Sequence, residues 1–135
     1  MAVQGDNDNW FRKDDFSTHV SEGDDGSIRV MLAGEFDLST APDLRACLVR
    51  PDVIGAEQMQ VDLRRVTFLD SSSIGVLVAA CKHVRSTGGA FAVICDEGPA
   101  LRVLQISGLL DYFDVMSAAE ADLALPAHGN SPPVG

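Results

Sequence analysis

The unbroken apolar run at residues 90–95 (AFAVIC) constrains this chain more than any other feature. It has strand length and no polar alternation, so both of its faces need cover, as in a strand inside a parallel sheet. The stretch before it has the period of a helix. Between Ser71 and Ser86, Ile74, Leu77, Val78 and Cys81 fall at i, i+3, i+4 and i+7, and Gly88-Gly89 offers a left-handed stop. Upstream, residues 58–63 place Met59, Val61 and Leu63 on one face of a strand. Strand, helix and strand in that order make a βαβ unit, which requires parallel neighbours in a sheet.

The flanking segments extend the pattern. Phe16, Thr18 and Val20 alternate with Ser17, His19 and Ser21, Gly23-Asp24-Asp25-Gly26 is a turn signal, and residues 28–33 read as a second strand, so the domain opens on a β-hairpin. After the polar break Gly34-Glu35-Phe36-Asp37, Ser39 or Thr40 can cap a helix with Pro42 and Asp43 in its first turn. Leu44, Cys47 and Leu48 give that helix an apolar face, and Pro51 is expected to end it. Pro99 opens a third helix that Gly108 closes, residues 112–116 read as a short last strand, and Ser117-Ala118-Ala119-Glu120 is a capping box for a final helix stopped by Pro126. The expected order is β-β-α-β-α-β-α-β-α: an α/β fold with a mixed, mostly parallel sheet and helices packed mainly on one face. The domain spans 16–125. Residues 1–15 read as a flexible leader, in which Trp10 and Phe11 could dock onto the domain or a partner, and residues 126–135 as a disordered tail.

Composition narrows the function. With 135 residues the chain is one domain, long enough to bury a core without metal or disulfide staples. Asp and Glu outnumber Lys and Arg 20 to 10, for a net charge of -10. That argues against nucleic acid and against an anionic membrane surface, both of which need a cationic face. The start of the chain lacks an apolar signal-peptide core, and the apolar run 76–81 is far too short to span a bilayer, so a cytoplasmic location is expected. Cys47, Cys81 and Cys95 have no metal or redox spacing and lie in apolar stretches, where reduced core cysteines are the ordinary outcome and redox sensing the alternative. Asp, His and Cys are scattered without metal-ligand spacing, and no cofactor is implied.

The segment with chemistry in it runs from Val61-Asp62-Leu63 to Phe68-Leu69-Asp70-Ser71-Ser72-Ser73-Ile74-Gly75. It crosses from strand to loop to helix start, where ligand sites of α/β sheets gather and free backbone N–H groups favour an anion. Asp70 followed by three serines also satisfies the plain requirement for an N-cap. A catalytic serine would need a base within reach. His83 lies twelve residues along the same helix, roughly 18 Å away, and there is no G-x-S-x-G elbow, so an enzyme is not expected.

This segment resembles the STAS domain, in particular the bacterial anti-sigma factor antagonists, whose helix opens on Asp-Ser-Ser/Thr/Ala-Gly-Leu/Ile-Gly. Gly34 to Ala41 (GEFDLSTA) is similar to that family's Gly-x-Leu/Ile-Asp segment, and Gly88-Gly89 and Ile106-Ser107-Gly108-Leu109 also match in order. The resemblance covers roughly residues 16–125. It implies that Ser71, the first serine after the Asp, is phosphorylated by an anti-sigma factor that is itself a serine kinase of the GHKL ATPase type. The unphosphorylated antagonist binds that factor and frees the sigma factor. Phosphorylation breaks the complex, and a PP2C-type phosphatase resets it. Asp70 would orient the Ser71 hydroxyl or only cap the helix, and Asp37 would lie beside the phosphosite or only form a turn. The outer face of the helix, through Val76, Ala79, Ala80 and His83, would meet the partner or be ordinary surface. Ser73 stands where the family usually has Gly, which leaves Ser72 open as acceptor beside Ser71. The other role the resemblance allows is a non-phosphorylated STAS scaffold, as in a subunit of an ABC-type lipid transporter or a signalling complex.

Overall fold

The computed structural model describes residues 10–12, 16–23 and 25–123. In chain order the strands are β1 (Trp10–Arg12), β2 (Phe16–Glu22), β3 (Ser27–Phe36), β4 (Gln58–Leu69), β5 (Ala90–Ile94) and β6 (Val115–Met116). The helices are α1 (Ala41–Leu48), α2 (Pro51–Ile54), α3 (Ser71–Ser86), α4 (Pro99–Ser107), α5 (Leu110–Phe113) and α6 (Ala118–Leu123). The strands form one sheet in sequence order. β1, β2 and β3 are antiparallel neighbours, and β3 to β6 run parallel.

Parallel neighbours added in one direction through right-handed crossovers put their connecting helices on one face. The core bears this out. Ile28, Val30, Leu32, Met59, Val61, Leu63, Phe91 and Val93 share a single apolar cluster with Leu44 and Leu48 of α1, Leu77, Cys81 and Val84 of α3, and Leu104 of α4. The alternate residues of β3 and β4 point the other way. There, buried Arg29 donates from Nε to Gln60 Oε1 at 2.9 Å and from a terminal nitrogen to the Ala121 carbonyl at 3.0 Å, so α6 covers part of the second face. The helices therefore lie mainly, though not wholly, on one side.

Several expected boundaries move. β1 lies inside the stretch read as a flexible leader. Its backbone pairs with Ser17–His19 and extends the sheet by one edge strand. β4 runs to Leu69, so no loop separates strand from helix: β3 also continues to Phe36 and gives β4 a partner throughout, with register shifts at Met31/Ala33 and Gly34/Glu35. Gly34 has φ +97 at the second shift, a conformation that favours glycine. Pro51 does not end α1, which stops at Leu48; it begins the separate turn α2, where a missing N–H costs nothing. Tyr112 and Phe113 belong to the helical turn α5 rather than to the last strand, because left-handed Asp114 (φ 57) reverses the chain before β6. The capping box forms as expected, with Ser117 N–H donating to Glu120 Oε1 at 2.8 Å and Glu120 N–H to Ser117 Oγ at 3.1 Å. The tail from 126 lies outside the described residues.

The three cysteines are free and buried. Burial pushes each thiol up; for Cys95 the desolvation, with Asp96 and Asp62 nearby, raises it to about 11. Thiolate is the reactive form. The folded protein is therefore expected to leave all three unlabelled by a disulfide reagent at about pH 8, with three thiols reacting once urea unfolds it. Prompt labelling of any of them in the native state would contradict this burial.

Candidate functional site at the start of helix α3

The site is built by the chain's passage from β4 into α3. Asp70 alone joins them. Its N–H donates to the Phe36 carbonyl at 3.2 Å, which ties the helix start to the end of β3. Its backbone is extended (φ -110, ψ -177), and its carboxylate accepts the Ser73 N–H at 3.1 Å. Asp70 is thus the N-cap of a 16-residue helix, and its carboxylate is held below the first turn. Among the described residues the N–H groups of Ser71 and Ser72 have no acceptor, as the first turn of any helix requires.

The three serines separate by burial. Ser71 is exposed, Ser72 half-buried, and Ser73 wholly buried at 0%. The Ser73 hydroxyl has no hydrogen-bond partner among the described residues. A buried hydroxyl without a partner is destabilising, and Ala is the better helix former. Ser73→Ala is therefore expected to stabilise the fold by about 1 kcal/mol, read as a higher urea midpoint with unchanged slope. A loss of stability would show that the hydroxyl has a partner.

Asp37 sits one residue beyond Phe36, on the turn between β3 and α1, beside the start of α3. Its carboxylate accepts from Ser39 Oγ at 2.7 Å, Ser39 N–H at 2.9 Å and Thr40 N–H at 3.2 Å. These bonds, the Ser39 hydroxyl first, hold its carboxyl below the usual carboxylate range. Thr40 is the N-cap of α1 by position, but neither it nor Ser39 bonds the helix with its side chain; the Asp37 carboxylate instead closes the turn before the helix, and the Asp37 carbonyl accepts the Ala41 N–H at 2.9 Å. The structure brings Asp37 to the neighbourhood of Ser71 with its carboxylate engaged in its own turn.

Val76, Ala79, Ala80 and His83 do share a surface. All four line a groove of about 300 Å³ between α3 and the α1–α2 pair, with Arg45, Leu48, Val49 and Ile54 opposite. Ala79 and His83 are exposed and Val76 is half-buried. Ala80, expected to face outward, is only 5% exposed, because α1 and α2 pack along that flank of α3. Arg45 and Val49 join the groove only through the fold; nothing in their spacing signalled it. Leu38 and Phe68, exposed apolar residues at the site end of β3 and β4, were missed for the same reason.

Among the described residues no group of three metal-ligating side chains comes together, and no helix is long and apolar enough to cross a membrane.

This chain is similar to proteins of known family. An anti-sigma-B factor antagonist of Bacillus subtilis is 33% identical over 96 residues, 71% of this chain and 87% of that protein. Its counterpart in Listeria monocytogenes is 29% identical over 99 residues, 73% of this chain and 87% of that one. The crystal structure of an anti-sigma factor antagonist from Mycobacterium paratuberculosis superposes with a TM-score of 0.71 at 26% identity, covering 82% of this chain and 93% of the other. The STAS domain family matches residues 19–123, the span that carries strands β3 to β6, the helices and the Asp70–Ser71 junction, and the chain belongs to that family.

Proposed function

We propose that this chain is an anti-sigma factor antagonist that binds an anti-sigma factor kinase and is switched off by phosphorylation of Ser71. The observation that carries this reading is the graded burial of the three serines: only the hydroxyl of Ser71 stands exposed at the helix start, while Ser72 is half-buried and Ser73 is sealed in the core. The names of the relatives point the same way. The step is phosphoryl transfer: the Ser71 hydroxyl attacks the γ-phosphorus of ATP, the bond to the β–γ bridging oxygen breaks, ADP leaves, and a base on the kinase takes the hydroxyl proton. The product adds nearly two negative charges to a chain already at -10. Within the protein the unpaired N–H groups of the first turn and the helix dipole offset that charge. Toward a partner, which must cover Ser71 to reach it, the hydrated dianion opposes contact. Ala79, Val76 and His83, along the same helix, extend the docking face toward the groove.

The test is incubation with the host's purified GHKL-type kinase and ATP, with Ser71→Ala as control. One phosphate mapped to Ser71, and absent from the variant, is the expected result. A phosphate on Ser72 would move the acceptor by one residue. No phosphate, with the kinase active on another substrate, would favour a non-phosphorylated STAS scaffold.

A further inference from the structure

Among the described residues four large apolar side chains are exposed: Leu38, Val49, Phe68 and Ile106. Lone exposed apolar residues are ordinary on a protein surface. Position separates these four. Val49 lines the groove beside α1. Ile106 is in the last turn of α4, a helix that packs against β4 and leads into α5, which lies on β5. Leu38 and Phe68 both stand at the carboxyl ends of β3 and β4, where α3 starts. Phe68 precedes Ser71 by three residues, so their Cα atoms lie within roughly 10 Å. Leu38 follows Phe36 by two, and the Phe36 carbonyl holds the Asp70 N–H at 3.2 Å. Its Cα therefore lies within roughly 15 Å of that of Ser71.

Resting on the reading of Ser71 as phospho-acceptor, we infer that Leu38 and Phe68 are the apolar anchors by which the anti-sigma kinase grips this chain. A specific interface covers about 800 Å² on each partner, a patch of roughly 16 Å radius. A kinase that delivers a phosphoryl group to Ser71 Oγ centres its contact there, so both side chains fall inside its footprint. Binding energy concentrates in well-packed, fully desolvated groups near the centre of an interface, and burying a Leu or Phe side chain is worth about tenfold or more in affinity. Leu38 is 73% exposed on a turn whose hydrogen bonds come from Asp37, Ser39, Thr40 and Ala41 and not from its own side chain, so the fold makes little demand on a leucine there. Phe68, 48% exposed, lies opposite Glu35 near the end of the sheet, where its ring is more apolar than strand pairing needs. The pair also accounts for how one modification releases a partner. Apolar anchors contribute only when water leaves them, and a phosphate dianion beside them keeps its hydration and holds the partner off.

The experiment compares Leu38→Ala and Phe68→Ala with the parent and with Ile106→Ala, a control on an apolar residue of α4 that is 81% exposed. The probe is the purified GHKL-type kinase of the same host. Read out are its affinity for each unphosphorylated protein and the KM and kcat of phosphate transfer, with thermal melts to verify folding. Each anchor variant is expected to bind at least tenfold more weakly, with KM raised in proportion, kcat kept and the melt unchanged. Ile106→Ala is expected to behave as the parent. Parent-like binding and KM in both anchor variants, with Ser71 still phosphorylated, would overturn the anchors and leave the proposed function standing. Equal losses in all three variants would overturn the anchors as well, since position would not matter. A parent protein that the kinase neither binds nor phosphorylates would take down the function and the anchors together.

Discussion

Phosphorylation of Ser71 is expected to weaken binding of the anti-sigma factor about a hundredfold, which is about 3 kcal/mol of coupling. The Ser71→Glu variant is expected to lose only about tenfold, because a carboxylate brings one charge where a phosphoserine brings nearly two. Ser71→Ala is expected to bind like the unphosphorylated parent and to stay bound in the presence of ATP. The order of effects follows from geometry. Ser71 is exposed on the first turn of α3, so a charge there meets the partner directly and not the protein's own core. Inside the chain the nearest carboxylate, that of Asp70, is engaged with the Ser73 N–H, and the first-turn amides favour an anion, so folding should hardly change. Titration calorimetry against the purified anti-sigma factor measures all four proteins. The gap between parent and phosphoprotein should narrow with added salt, since part of it is Coulombic and screened. Parent-like affinity in both the phosphoprotein and Ser71→Glu would remove Ser71 as the switch.

The Leu77→Ala variant is expected to lose about 3 kcal/mol of stability, seen as a melting temperature lower by roughly 10 °C. Leu77 is 0% exposed and belongs to the cluster that joins α3 to the sheet through Val61, Leu63 and Val93. Removing its outer carbons leaves a cavity that surrounding strands cannot close without breaking register, so the cost combines lost burial and lost packing. A domain of this size has about 5–15 kcal/mol in total, so the loss is a large fraction. Urea unfolding should show a lower midpoint with the same slope. A loss below about 1 kcal/mol would mean that the α3–sheet contact is looser than its burial indicates. Ser71 rides on this helix, so the same variant should also hold Ser71 less firmly at the end of the sheet.

Much of the fold was legible in order. The limits of α3 follow from its apolar spacing, from Asp70 before it and from Gly88-Gly89 after it, and the observed helix runs from Ser71 to Ser86 as expected. The capping box at Ser117 and Glu120 was equally plain, because both of its hydrogen bonds are local. Readings failed where the deciding contact came from far along the chain. The second half of β4 carries Arg64, Arg65 and Thr67, which look like a loop until β3 is beside them to pair. Tyr112 and Phe113 look like strand residues, yet they turn back because Asp114 reverses the chain and Phe113 enters the core. Ala80 sits on the outer arc of α3 by period alone, and only α1 and α2 bury it.

The sequence by itself determined the alternation of strands and helices, the cap at Asp70 and the presence of three serines in the first turn. These depend on periodicity and on bonds between residues a few positions apart, which the chain states directly. Only the tertiary structure decided which serine faces solvent, that Asp37 is engaged in its own turn beside Ser71, that Arg45 and Val49 complete a groove with α3, and that Leu38 and Phe68 stand exposed at the end of the sheet where α3 begins. Each of these is a relation between surfaces brought together by the sheet, and burial is set by what lies opposite a side chain, not by its neighbours in sequence.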